Sequence, residues 1–129
     1  MSANNTFFIK VGQDKYTIYA VVTVSGCGIN VYIGGGEKPH IGTVAISQPR
    51  LSLKGDGNIS CTTSVFNLLG HKDDYIAVPV AEDLCKKTNQ TVVVSAGVHI
   101  ENAAQEDIEK IKMLAEELNK KIAEKLSYS

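Results

Sequence analysis

The final stretch of the chain restricts its fold most. Ile108, Ile111, Ala115, Leu118 and Ile122 recur at spacings of three and four, flanked by Leu114 and Leu126. That repeat marks one face of an α-helix. Asn102 suits an N-cap, with Gln105 at the capping-box position. Glu106 and Asp107 fall in the first turn and Lys120, Lys121 and Lys125 near the end, so the charges complement the helix dipole. A helix over about 102–126 must bury its apolar stripe, and a sheet is a better partner for it than a coiled-coil seam. Just upstream, Thr91-Val92-Val93-Val94-Ser95-Ala96 is a continuous β-branched run. Such a run is typical of a central strand covered on both faces.

The rest of the sequence supplies that sheet. Residues 6–12 and 15–25 are β-branched and aromatic, and Gln13-Asp14 between them reads as a short hairpin turn. After Gly26-Cys27-Gly28, the alternation in Ile29-Asn30-Val31-Tyr32-Ile33 predicts a half-buried strand. Residues 41–47 read as a fourth strand ended by Gln48-Pro49. Gly55-Asp56-Gly57-Asn58 is a turn, and a hydroxyl-rich fifth strand follows over 59–69. A second helix is predicted over 73–88, where Ile76, Val80 and Leu84 share a side with Ala77 and Ala81. Pro79 should kink it unless it lies in the first turn. The expectation is one α+β domain over residues 1–129, a mixed and mostly antiparallel sheet with two helices packed on one face.

Length and charge narrow the function. The 129 residues suffice for one core. Net charge is −1 with no basic run, so neither a large nucleic-acid footprint nor anchoring to an anionic membrane is expected. Arg50 is the only arginine, which excludes an arginine cluster for phosphates. The start lacks the basic and apolar regions of a signal peptide, and no apolar run nears the ~18 residues of a membrane span. Cys27, Cys61 and Cys85 form no C-x-x-C pair and are odd in number, which argues against a disulfide framework. A cytoplasmic protein is expected.

Chemistry gathers at residues 70–74, Gly70-His71-Lys72-Asp73-Asp74, where a loop meets a helix start. Unpaired backbone N–H groups there suit an anion, and Lys72 adds a full charge. His40 in Pro39-His40-Ile41-Gly42 and His99 in Gly97-Val98-His99-Ile100 stand in similar company, each within two residues of a glycine at an apparent element end. Gly34-Gly35-Gly36, read as part of a loop running to His40, allows close approach of a ligand to the backbone. It has neither P-loop nor dinucleotide-fingerprint spacing.

Several chemistries are compatible with such a rim. His40, His71 and His99 form a candidate metal site with Asp73, Asp74 or Glu101, although no H-x-x-x-H or H-E-x-x-H spacing occurs. Cys27 is a candidate nucleophile beside His71 or His99, but no G-x-S-x-G is present. His71 with Asp73 is a candidate acid–base pair. The plain alternative is that the histidines bond to loop backbone. A polar, glycine-lined rim without a clear catalytic pair favours holding an anionic organic ligand, its phosphate on backbone N–H groups and its rings on the sheet.

Residues 39–45, residues 70–74 and the block Val92-Val93-Val94-Ser95-Ala96-Gly97-Val98-His99-Ile100-Glu101-Asn102-Ala103 together resemble the small LpdD-like proteins. That family is associated with UbiD-type, prenylated-flavin-dependent decarboxylases, and its members are described as chaperones for prenylated FMN. Glu101 stands where the family pattern has aspartate. The resemblance implies a non-catalytic protein that binds prenylated FMN or FMN and delivers it to, or matures it for, an apo-decarboxylase. By matching position it makes His40, His71, Lys72, Asp73 and His99 candidate cofactor contacts, with Gly34, Gly35 and Gly36 touching the phosphate or ring edge. The competing expectation is a small metal-dependent, hydrolase-like enzyme using His40, His71 and His99. A strand edge in the strand-rich half could pair with a second copy, and a homodimer is expected.

Overall fold

The structure, a computed structural model, describes residues 5–70 and 73–127. Six strands and two helices follow in the order β1 (Asn5–Val11), β2 (Ile18–Val24), β3 (Gly28–Gly36), β4 (Thr43–Leu51), β5 (Ile59–Asn67), α1 (Asp74–Thr88), β6 (Thr91–His99) and α2 (Gln105–Ser127). The strands form one sheet in the order β1-β2-β3-β6-β4-β5. Only β3 and β6 run parallel; the other neighbouring pairs are antiparallel. The expected α+β architecture is the one observed.

Alternation along each strand decides which face is covered. Ile18, Ala20, Val22 and Val24 of β2, Ile29, Val31 and Ile33 of β3, and Val92, Val94 and Ala96 of β6 are all buried. They meet Ile76, Ala77, Val80, Ala81 and Leu84 of α1, and Ile111, Ala115, Leu118 and Ile122 of α2. Helix α1 lies over β4, β5 and β6, and α2 over β1 and β2. Each fully buried aliphatic side chain contributes about 1.5–3 kcal/mol of transfer free energy.

The structure corrects several boundaries. Strand β6 is covered on one face only, since Val93 and Ser95 stay partly exposed opposite the helices. Tyr16, expected inside the second strand, belongs instead to a 3-10 turn at Asp14–Tyr16. Its hydroxyl there donates to Asp107 Oδ1 at 2.6 Å, a tertiary bond that overrides local β propensity. Strand β4 continues through Pro49 because its pairing with β6 ends at Ser47. Beyond that point β4 has a neighbour on one side only, where a missing N–H is tolerated. Pro79 is exposed in the second turn of α1, which continues past it. Helix α2 begins at Gln105 rather than Asn102, and Asp107 Oδ2 accepts the Ala104 N–H at 2.8 Å. The capping acid is therefore Asp107, and Asn102 takes a left-handed turn with φ 52°.

Candidate functional site

At the C-terminal end of β6 a cavity of about 360 Å³ opens between the starts of the two helices. Val98, Ile100, Ile108 and Ile111 supply an apolar wall, while His40, Asp73, His99 and Asn102 supply polar groups. Ile108, the first residue of the predicted α2 stripe, is 40% exposed. It lines the cavity instead of entering the core.

His40 is carried there by residues 37–42, which strap back over β6. Glu37 N–H donates to the His99 carbonyl at 2.7 Å, His40 N–H to that of Gly97 at 3.2 Å, and Gly42 N–H to that of Ala96 at 2.8 Å. Glu37 Oε1 accepts the Glu101 N–H at 2.9 Å, and the Tyr32 hydroxyl donates to the His40 carbonyl at 3.0 Å. The approach needs glycine at position 97, where an added Cβ would lie 1.9 Å from the His40 carbonyl oxygen.

Asp73 is the hub. Its backbone N–H donates to Thr43 Oγ1 at 3.1 Å, and Thr43 donates in turn to Asn67 Oδ1 at 2.6 Å. Its carboxylate accepts the Val98 N–H at 3.1 Å and faces His40 Nε2 at 3.3 Å. His40 Nδ1 lies 3.1 Å from the Lys38 carbonyl oxygen. Both ring nitrogens thus face oxygen acceptors. His99 stands edge-on to His40 with ring centroids 6.3 Å apart, and its Nε2 lies 3.2 Å from Glu101 Oε2. Burial, and then the Asp73 charge, push the Tyr75 phenol up to about 12, so it stays neutral. Asp107 is held below the usual carboxylate range, first by the Tyr16 hydroxyl and then by the Ala104 N–H.

The candidates named from sequence separate accordingly. His40, Asp73 and His99 come together at the cavity, and Gly70 lines it with φ 81°. His71 and Lys72 lie outside the described residues. Gly34, Gly35 and Gly36 belong to β3, not to a loop, and do not line the cavity. Cβ atoms added to them would meet the Tyr32 hydroxyl, the Thr17 carbonyl and the His99 carbonyl at 2.4–2.5 Å. The space a ligand would use is thus taken by the chain itself. Cys27 is exposed just before β3, roughly 25–30 Å of strand from the histidines at its other end. The pairing of Cys27 with His99 therefore fails. Among the described residues no group of three or more His, Cys, Asp and Glu is arranged to hold a metal ion. Sequence reasoning missed Tyr75, Asn102, Asp107 and Ile108 as cavity residues; each carries an ordinary helix or cap signal that says nothing about a ligand.

A sequence model of the prenylated flavin chaperone LpdD-like domain matches residues 12–127. The chain belongs to this prenylated flavin chaperone family. The cavity residues of the LpdD-like domain, from His40 to Ile111, all fall within the matched stretch. Among solved structures, a chain from the "Crystal Structure of a Novel Chaperone Complex for Yeast 20S Proteasome Assembly" is similar to this LpdD-like chain, with a TM-score of 0.58 over 98% of each chain. At 14% identity that likeness is one of fold. No curated protein matches the sequence. Among the described residues no helix is long and apolar enough to cross a membrane.

Proposed function

We propose that this LpdD-like chain binds prenylated FMN, or FMN, as cargo in the cavity beside His40, Asp73 and His99, and delivers it to, or matures it for, a UbiD-type decarboxylase. The observation that carries this reading is the pairing of an apolar wall with a polar edge in one cavity at a strand's carboxyl end. Val98, Ile100, Ile108 and Ile111 suit the face of a fused ring system, and His40, His99 and Asn102 suit its hydrogen-bonding edge. Asp73 and Asp107 already accept bonds from the protein, so they leave a ring edge free to engage the imidazoles. The same carboxylates disfavour a phosphate deep in the cavity, and Lys72, two residues after Gly70 in sequence, is the cation assigned to it.

The protein acts as a holder without chemistry of its own. Its working unit is a homodimer in the cytoplasm, a compartment that fits three free cysteines. The test titrates prenylated FMN and FMN into wild type, His40→Ala, His71→Ala and His99→Ala, by absorbance and fluorescence, with and without chelator. The expected result is saturable binding of the prenylated form, weakened about tenfold by loss of an imidazole contact and indifferent to chelator. Absence of flavin binding, with a metal that co-purifies and is lost in the histidine variants, sinks the proposal.

A further inference from the structure

The seam between the two helices stays open beyond the cavity. Ile108 and Ile111 of α2 line the cavity, and Ala115 and Asn119 continue the same helix face one and two turns after Ile111. There a second, smaller hollow of about 60 Å³ lies between Ile76, Pro79 and Val80 of α1 and Ala115 of α2. Tyr75 lines both spaces. Two features of the sequence leave the hollow. Ala115 is the smallest member of a buried stripe otherwise built from isoleucine and leucine, so it fills least of the seam. Pro79 has no N–H for the Tyr75 carbonyl one turn back, and its exposed ring forms the lip. The hollow is apolar where it is deep. Ile76, Val80 and Ala115 are buried, whereas the charged residues that line it, Lys112 and Glu116, are exposed. Tyr75 adds no charge, since its phenol stays neutral. Asn119 stands at the far end, its Nδ2 donating to Asp83 Oδ2 at 2.8 Å.

We propose that this hollow is the subsite for the five carbons that distinguish prenylated FMN from FMN, and that it gives the chain a preference for the modified cofactor. The inference rests on the flavin-binding reading above and assigns the prenyl-derived part a place of its own. Size supports it. A hollow of about 60 Å³ holds roughly four to six groups of water size, at ~10–15 Å³ each. Chemistry supports it as well, because saturated carbons make no hydrogen bond and gain by leaving water for an apolar hollow. Position completes the case. A flavin ring lying against Ile108 and Ile111 has Ala115 one helical turn, about 6 Å, further along the seam, within reach of a substituent on the ring's edge. Plain FMN has nothing to place there.

The experiment follows NMR signals of the full chain, methyl-labelled at isoleucine, valine and alanine, as prenylated FMN or FMN is added. The methyls of Ile76, Val80 and Ala115 are expected to shift with prenylated FMN and to stay in place with FMN, while Ile108 and Ile111 shift with both. A second arm measures both affinities in wild type and in Ala115→Leu, whose fold circular dichroism checks. Wild type should prefer the prenylated form by at least about tenfold, and the gap should narrow to about twofold once leucine fills the hollow. Groove methyls unmoved at saturation with prenylated FMN, or a folded Ala115→Leu that keeps the full preference, overturn the inference while flavin binding stands. The first arm needs no variant, so it decides even where Ala115→Leu does not fold. If neither flavin binds wild type or moves Ile108 and Ile111, the function proposed above falls, and the subsite with it.

Discussion

A methyl group on Gly97 would stand 1.9 Å from the His40 carbonyl oxygen, so one hydrogen atom decides whether residues 37–42 lie against β6. Gly97→Ala is expected to lower stability by about 1–3 kcal/mol, the usual cost of overpacking, measured as a fall in the urea midpoint. Asp107 acts at the other rim. Its folded pKa lies below that of the unfolded chain, so it contributes stability fully at pH above the unfolded value of about 3.9, and this is lost as pH falls through the folded value. The wild-type urea midpoint should therefore drop more between about pH 5 and pH 2 than that of Asp107→Asn, which has no carboxylate to protonate. Equal drops would show that the Tyr16–Asp107 bond is not the acid-sensitive link. At this scale the sequence was only partly legible. His40 and His99 stand out beside their glycines, but the bond from Tyr16 to Asp107 spans most of the chain and leaves no local signal.

Elements were easier to read where periodicity was long. The α2 stripe from Ile111 to Leu126 is buried as its spacing predicts, with Leu118 wholly inaccessible. Leu118→Ala is expected to destabilise the fold by about 2–5 kcal/mol, checked by thermal or urea unfolding; a much smaller loss would mean that α2 is not a principal support of the sheet. The stripe fails at its first member, because Ile108 has the right spacing but faces a cavity that no helical repeat encodes. Gly34, Gly35 and Gly36 misled for the opposite reason. A run of glycines commonly marks a loop, whereas here it lets β3 pass close to its own neighbours while pairing with β2 and β6. Pro49 misled similarly, since a terminator signal is overridden where a strand has only one neighbour.

The whole molecule is a single sheet clothed on one side, with the cavity at the end of its central parallel pair. That pair joins Gly28 to Thr91, and so ties the meander of β1, β2 and β3 to everything made later. The cavity draws on the strap after β3, the entry to α1, the end of β6 and the first turns of α2. A chain still emerging from the ribosome can close its first hairpins, yet it has no cavity until Ile111 has been synthesised and β6 has slotted between β3 and β4. Under the proposed function, binding in this cavity is thus confined to chains folded through β6 and the first turns of α2, and whatever occupies the cavity stabilises that fold over every partial one.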